Sequence, residues 1–242
     1  MPKILKTKSV YYNDCNLIAQ PVHEDIKSRS DIPISLHRVF VSPMDAIVGE
    51  TFTKEATNLG LTVCVHRFCD VKKQIDIIKT AKYMSSVYAS VGLNDWDRIS
   101  LLKDYTNNWV IDCANGYLHP QIKSVIDRLE NTAEIKNIVI GNIHSKEGIH
   151  AYRKYESKPY HILFRVGIAG GSVCSTSDVT GINRGQITEL IECSEFSKEF
   201  ENFHIIADGG IKNGNYASKA FGAGAEIIMI GGYFSRAKEA ET

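Results

Sequence analysis

The chain has 242 residues, 43% of them hydrophobic, with Lys+Arg and Asp+Glu balanced at 28 each. That length fits one large domain, and the charge balance excludes the one-signed field of a nucleic-acid or membrane-surface protein. No stretch approaches the roughly 20 apolar residues of a membrane span.

Residues 1 to about 35 read as an N-terminal extension expected to cover one end of the domain that follows. Met1 to Lys8 carries no secretory apolar core. From residue 39 onward, short apolar runs alternate with helix-like stretches. Val39–Met44 reads as a strand, then Gly49–Gly60 as a helix, Leu61–His66 as a strand and Val71–Met84 as a helix. Ser85–Gly92 is the third strand, and Asn94–Asp97 offers an N-cap for the helix after it. Strands Trp109–Asn115 and Asn137–Ile143 flank helix His119–Glu134, and Ser145 offers a cap for helix Ser145–Ser157. His161–Gly167, Phe203–Gly209 and Glu226–Gly232 are the remaining strands, separated by helices Arg184–Glu201 and Asn213–Gly222.

Continuous Val/Ile runs without polar alternation suit strands buried on both faces. About eight strand–helix units predict a single α/β domain over residues 1–242, a (β/α)8 TIM barrel. The chain ends ten residues after the last strand, so the eighth helix is expected to be short or absent. The alternative is an open Rossmann-type sheet, but no GxGxxG follows the first strand.

In such a barrel the chemistry gathers at the C-terminal strand ends. Those ends are Ser42–Asp45, Val65–Arg67, Val91–Gly92, Asp112–Gly116, Gly141–Asn142, Asp208–Gly210 and Gly231–Gly232, with the sixth strand running into a glycine-rich turn. Asp208-Gly209-Gly210 and Gly231-Gly232 suit a phosphate held by backbone N–H groups, with Asp208 on a ribose hydroxyl pair. Tight turns needing glycine, and Asp208 as a helix N-cap, are the bland alternatives. Asp112–Tyr117 offers a carboxylate and an amide for a polar ligand, or a plain Asn-Gly turn. His66 offers a catalytic base, but with no acidic partner evident it reads rather as a core or loop histidine.

The sixth-strand turn, Arg165-Val-Gly-Ile-Ala-Gly-Gly-Ser-Val-Cys-Ser-Thr176, is the most informative stretch. It presents one thiol, Cys174, on a glycine turn at a strand end, with the Thr176 hydroxyl two residues on to move protons, the bland alternative being a buried cysteine beside an ordinary turn. The other cysteines, Cys15, Cys64, Cys69, Cys113 and Cys193, are scattered without CxxC or zinc spacing, as expected of free thiols in a reducing, cytoplasmic setting.

Val166–Thr176, its continuation Thr180–Gln186, Asp112–Tyr117, Lys27–Asp31 and Lys219–Gly224 together resemble the IMP dehydrogenase/GMP reductase family. The wording of Asp112–Tyr117 is closer to GMP reductases, while Ile206–Ile211 is nearer the dehydrogenases. No regulatory domain is inserted between the second and third strands, where the dehydrogenases usually carry one.

The resemblance implies NADPH-dependent conversion of GMP to IMP and ammonia, with Cys174 attacking the purine to form a thioimidate and Thr176 relaying protons. It implies substrate contacts at Ser172, Asp208, Gly209, Gly210, Gly231 and Gly232. Dinucleotide contacts fall on Ser28, Arg29, Arg67, Asp112, Cys113, Ala114, Ile168 and Ala169, with Arg67 where a lysine is usual. A potassium ion would sit on backbone carbonyls of Ala169, Gly171, Cys174 and Ser177, with Ala169 replacing a usual glycine and Ser177 a frequent arginine. Family members form homotetramers, and no nucleic-acid or membrane partner is expected. The family's mobile flap after the eighth strand has no recognisable counterpart in Tyr233–Thr242, so slow turnover is expected. IMP dehydrogenase, or a catalytically impaired homologue that binds purine nucleotide, are the competing readings.

Overall fold

The computed structural model describes residues 9–18, 35–167 and 184–241. Eight strands close into a parallel barrel in chain order: β1 (Val39–Val41), β2 (Thr62–Val65), β3 (Val87–Val91), β4 (Asn108–Asp112), β5 (Asn137–Ile143), β6 (His161–Val166), β7 (Phe203–Asp208) and β8 (Ile227–Ile230). The closing pair sets Phe40 beside Met229 and Val41 beside Ile230. Seven α-helices lie among the described residues: α1 (Glu50–Asn58), α2 (Val71–Lys79), α3 (Trp96–Leu102), α4 (Pro120–Thr132), α5 (Lys146–His150), α6 (Gln186–Ser197) and α7 (Gly214–Gly222). After β8 the described chain makes a 3-10 turn, Phe234–Arg236, with Phe234 edge-on to Phe52 of α1 at 5.9 Å.

The barrel expected from the alternating runs is present, and the closed sheet excludes the open one. The caps differ from expectation. Asp95 and Ser145 occupy N-cap positions, but neither side chain makes a capping bond. Asp95 instead accepts the backbone N–H of Gly92 at 2.7 Å, and Ser145 shares a 2.6 Å bond with the Tyr117 hydroxyl. The working caps are Asp70, which accepts from Lys73 N–H at 2.8 Å, and Asn213, which accepts from Tyr216 N–H at 3.0 Å.

Two apolar regions hold the barrel together. The larger lies between sheet and helices. The smaller fills the interior with one buried side chain from each strand: Phe40, Cys64, Tyr88, Val110, Val139, Leu163, Ile206 and Met229. Side chains alternate across a strand, so two residues further along each strand the same inward face carries Ser42, His66, Ser90, Asp112, Gly141, Arg165, Asp208 and Gly231. The interior therefore changes from wholly apolar to polar within one layer, on the side of the strand C-termini.

The described part of the extension packs beside the last two helices. Val10 N–H donates to Thr188 Oγ1 at 2.8 Å, and the buried Lys219 of α7 donates to the Tyr12 carbonyl at 2.7 Å. Tyr12 stacks on Tyr216 with ring centres 5.1 Å apart.

Candidate active site

The polar layer is organised around Arg165, which stands near the C-terminal end of the apolar β6 run and is almost fully buried. Its Nε and Nη2 donate to Asp208 Oδ2 at 3.1 and 2.8 Å, and its Nη1 donates to Asp112 Oδ1 at 3.3 Å. Arg67, just beyond β2, donates from Nε to the other oxygen of Asp112 at 3.2 Å. Asn142 adds a 2.8 Å bond to Asp208 Oδ2 and a 2.6 Å bond to the Gly167 carbonyl. Two guanidinium groups thus face two carboxylates, and every nitrogen of Arg165 is used. Burial acts to lower the Arg165 pKa, but Asp208 and Asp112 outweigh it and hold the group firmly charged.

The local sequence makes room for this cluster. A Cβ on Gly141 would lie 2.3 Å from the Arg165 Cβ, so only glycine lets the arginine pass β5. Gly209 and Gly210 both have positive φ, 88° and 72°, in the left-handed region that glycine adopts without penalty. Asp208 is therefore followed by a sharp turn. It is not the cap of α7, a role held by Asn213, so the bland reading of Asp208 is corrected.

The structure brings Arg67, Asp112, Cys113, Asp208, Gly209, Gly210 and Gly231 to the same end of the barrel, with Ala114 and Gly232 exposed at its edge. The Arg67 guanidinium lies over the exposed Phe68 ring, 4.9 Å from its centre. Asn115 shapes its turn by accepting Tyr117 N–H at 3.0 Å, as the plain-turn reading of Asp112–Tyr117 anticipates. His66 is buried and accepts the Phe68 N–H at Nδ1, 3.1 Å away. Burial lowers its pKa and keeps it neutral, in keeping with a core histidine. Ser28, Arg29, Ile168, Ala169, Gly171, Ser172, Cys174, Thr176 and Ser177 lie outside the described residues.

Four of the other thiols are poor nucleophiles. Burial pushes Cys64 up to about 12 and, with the Asp112 charge, Cys113 up to about 11. Burial also raises Cys69 and Cys193. Arg165 and Asn142 were given no role by the sequence reading. The signal for Arg165 was present: a lone charge inside an apolar strand must find a buried partner.

The pattern of the IMP dehydrogenase / GMP reductase domain matches residues 12–242. The chain belongs to this family. A GMP reductase from Caenorhabditis elegans is 25% identical, over 97% of this chain and 69% of that protein. An inosine-5'-monophosphate dehydrogenase from Methanocaldococcus jannaschii is 28% identical over 94% of the chain but 49% of its own length. A GMP reductase from Vibrio atlanticus is 25% identical, covering 90% of the chain and 67% of itself. The names of the family and of these relatives point to an oxidoreductase of purine nucleotides. Among the described residues no helix is long and apolar enough to cross a membrane.

Proposed function

We propose that this member of the family is a GMP reductase, catalysing NADPH-dependent reductive deamination of GMP to IMP and ammonia. The observation that carries this reading is the Arg165-centred network, which fixes Asp208 beside the left-handed Gly209-Gly210 turn at the barrel mouth. Backbone N–H groups of Gly209, Gly210, Gly231 and Gly232, with Ser172, would hold the nucleotide phosphate, and Asp208 the ribose hydroxyls. Three donors already converge on Asp208 Oδ2, so its Oδ1 is the oxygen left to face a ribose.

Cys174 attacks C2 of the purine, forming a C–S bond as the C2–N bond breaks. Thr176 passes a proton to the departing amine, which leaves as ammonia. Bound NADPH supplies the hydride that replaces sulfur at C2. Arg67, Asp112, Cys113 and Ala114, with Ser28, Arg29, Ile168 and Ala169, would hold the dinucleotide. The partly exposed Arg67 guanidinium over Phe68 suits an anionic, planar ligand. Carbonyls of Ala169, Gly171, Cys174 and Ser177 would take potassium. A single-domain homotetramer in the cytoplasm is the setting proposed for the reaction.

The assay is GMP-dependent NADPH oxidation. Cys174→Ala should lower it by about 10³-fold or more, since the covalent route is removed. NAD reduction driven by IMP, with no oxidation of NADPH by GMP, would establish the dehydrogenase reaction instead, as the archaeal relative's name would suggest.

A further inference from the structure

The opposite end of the barrel holds a second constellation that this chemistry does not use. A cavity of about 440 Å³ opens at the strand N-termini, within the size range of small-ligand sites. Its floor is the underside of the apolar layer, Phe40, Tyr88 and Leu163, and its rim includes Arg38, His161, His204 and Glu226. Phe40 and Tyr88 form a ring pair 5.0 Å apart. Tyr88 is 5% exposed and lines the cavity, yet its hydroxyl has no hydrogen-bond partner among the described residues. That hydroxyl is not enclosed but keeps access to the cavity, where a ligand or water can partner it.

The rim carries a directional relay. His204 Nδ1 lies 2.8 Å from Glu226 Oε2, and His204 Nε2 lies 2.9 Å from His161 Nδ1. Burial raises the Glu226 pKa, but hydrogen bonds from His204 and the Ile205 backbone, with Arg38 further off, outweigh it and favour a carboxylate. A carboxylate only accepts, so His204 donates from Nδ1. When both rings are neutral, His204 Nε2 must accept from His161 Nδ1–H. The free His161 Nε2 then has no proton. A negative charge arriving beside it favours its protonation.

The charged and titratable groups acting on His161 are His204 on β7, Lys136 before β5 and Glu226 before β8, with His37 and Arg38 lining the same cavity, and burial with the first two lowers its pKa. Arg38 on the rim and Lys136 nearby are two positive charges against the single Glu226 carboxylate. The rim therefore favours an anion, and the floor favours an apolar body behind it.

We propose that this N-terminal cavity binds a small organic carboxylate, its charge on Arg38 and His161 and its apolar body against Phe40, Tyr88 and Leu163. Binding transfers one proton from solvent to His161 Nε2, so affinity rises as pH falls toward the histidine range. The Tyr88 hydroxyl gains the partner it lacks.

Benzoate is the probe, with benzyl alcohol as its uncharged counterpart, in nitrogen-edited NMR of the histidine rings of the full chain. Millimolar benzoate should shift the His161 and His204 ring signals and leave those of His66, at the other end, in place. Calorimetry in buffers of different ionisation heat should show net proton uptake. Arg38→Ala, at an exposed position, should weaken binding about tenfold, the loss of one charge-assisted contact. Tyr88→Phe should weaken it less, and both variants should keep the parent's thermal unfolding midpoint within a few degrees. Benzyl alcohol shifting the same signals equally, benzoate shifting His66 instead or nothing at all, binding without proton uptake, or Arg38→Ala binding as well as the parent would each overturn the proposal.

Discussion

On β6 and β7 the same alternating face carries His161 and His204 at the N-terminal end, Leu163 and Ile206 in the middle, and Arg165 and Asp208 at the C-terminal end. Both ends are polar pairs, but they differ in how much of each pair is enclosed. Arg165 and Asp208 keep about a tenth of their side-chain surface exposed, whereas Glu226, the anchor of the histidine pair, is nearly half exposed. Enclosure turns the C-terminal pair into fixed architecture, since neither charge can be solvated if the other is lost. The N-terminal pair keeps access to water and can change protonation. One barrel thus has a rigid electrostatic frame at one mouth and a titratable one at the other.

The largest test of that contrast is Arg165→Met. It leaves Asp208 and Asp112 buried without their central partner and should cost about 3–5 kcal/mol in urea unfolding. Arg165→Lys should recover only part of the loss, because a point charge cannot reach both carboxylates with the same geometry. If Arg165→Met unfolds at the parent's urea midpoint, the network is not the frame described here.

A smaller effect is expected from acid. His66 near one mouth and His161 at the other are both held below their ordinary value of 6.5, chiefly by burial. The unfolded chain therefore binds more protons as pH falls past that value, so stability is full above it and declines below. Replacing His66 by Asn should flatten the decline more than replacing His161 by Gln, because His66 is buried and His161 is exposed. Urea midpoints measured on either side of pH 6.5 decide the order. An equal or reversed order would erase the distinction between the two ends.

The smallest effect belongs to Glu226→Gln, which should cost less than about 1 kcal/mol, as half-exposed pairs do. That loss should shrink further in high salt, while the Arg165→Met loss should persist, since buried pairs are poorly screened. Salt-dependent unfolding of the two variants side by side provides the measurement.

Much of the fold was legible before any coordinates. The Val/Ile runs of β2, β3 and β5 read as buried strands because a barrel strand is covered on both faces. The C-terminal polar residues could be placed at one mouth because parallel strands all end on the same side. Caps were less legible. Ser145 and Asp95 have the right chemistry in the right place, yet tertiary partners, Tyr117 and the Gly92 N–H, take their side chains.

By itself the sequence determined the eight strands and the clustering of Asp112, Asp208 and the glycine turns, which follow from local periodicity and chain order, and the family, which follows from motif resemblance. Only the tertiary structure decided who pairs with whom. Arg165 and Asp208 are 43 residues apart, Arg67 and Asp112 45, and His161 and His204 43 again. Closing the sheet sets those distances in space, and no local pattern encodes them. Charge pairing is a property of barrel closure, whereas strand identity is a property of each short run, which is why one was readable and the other was not.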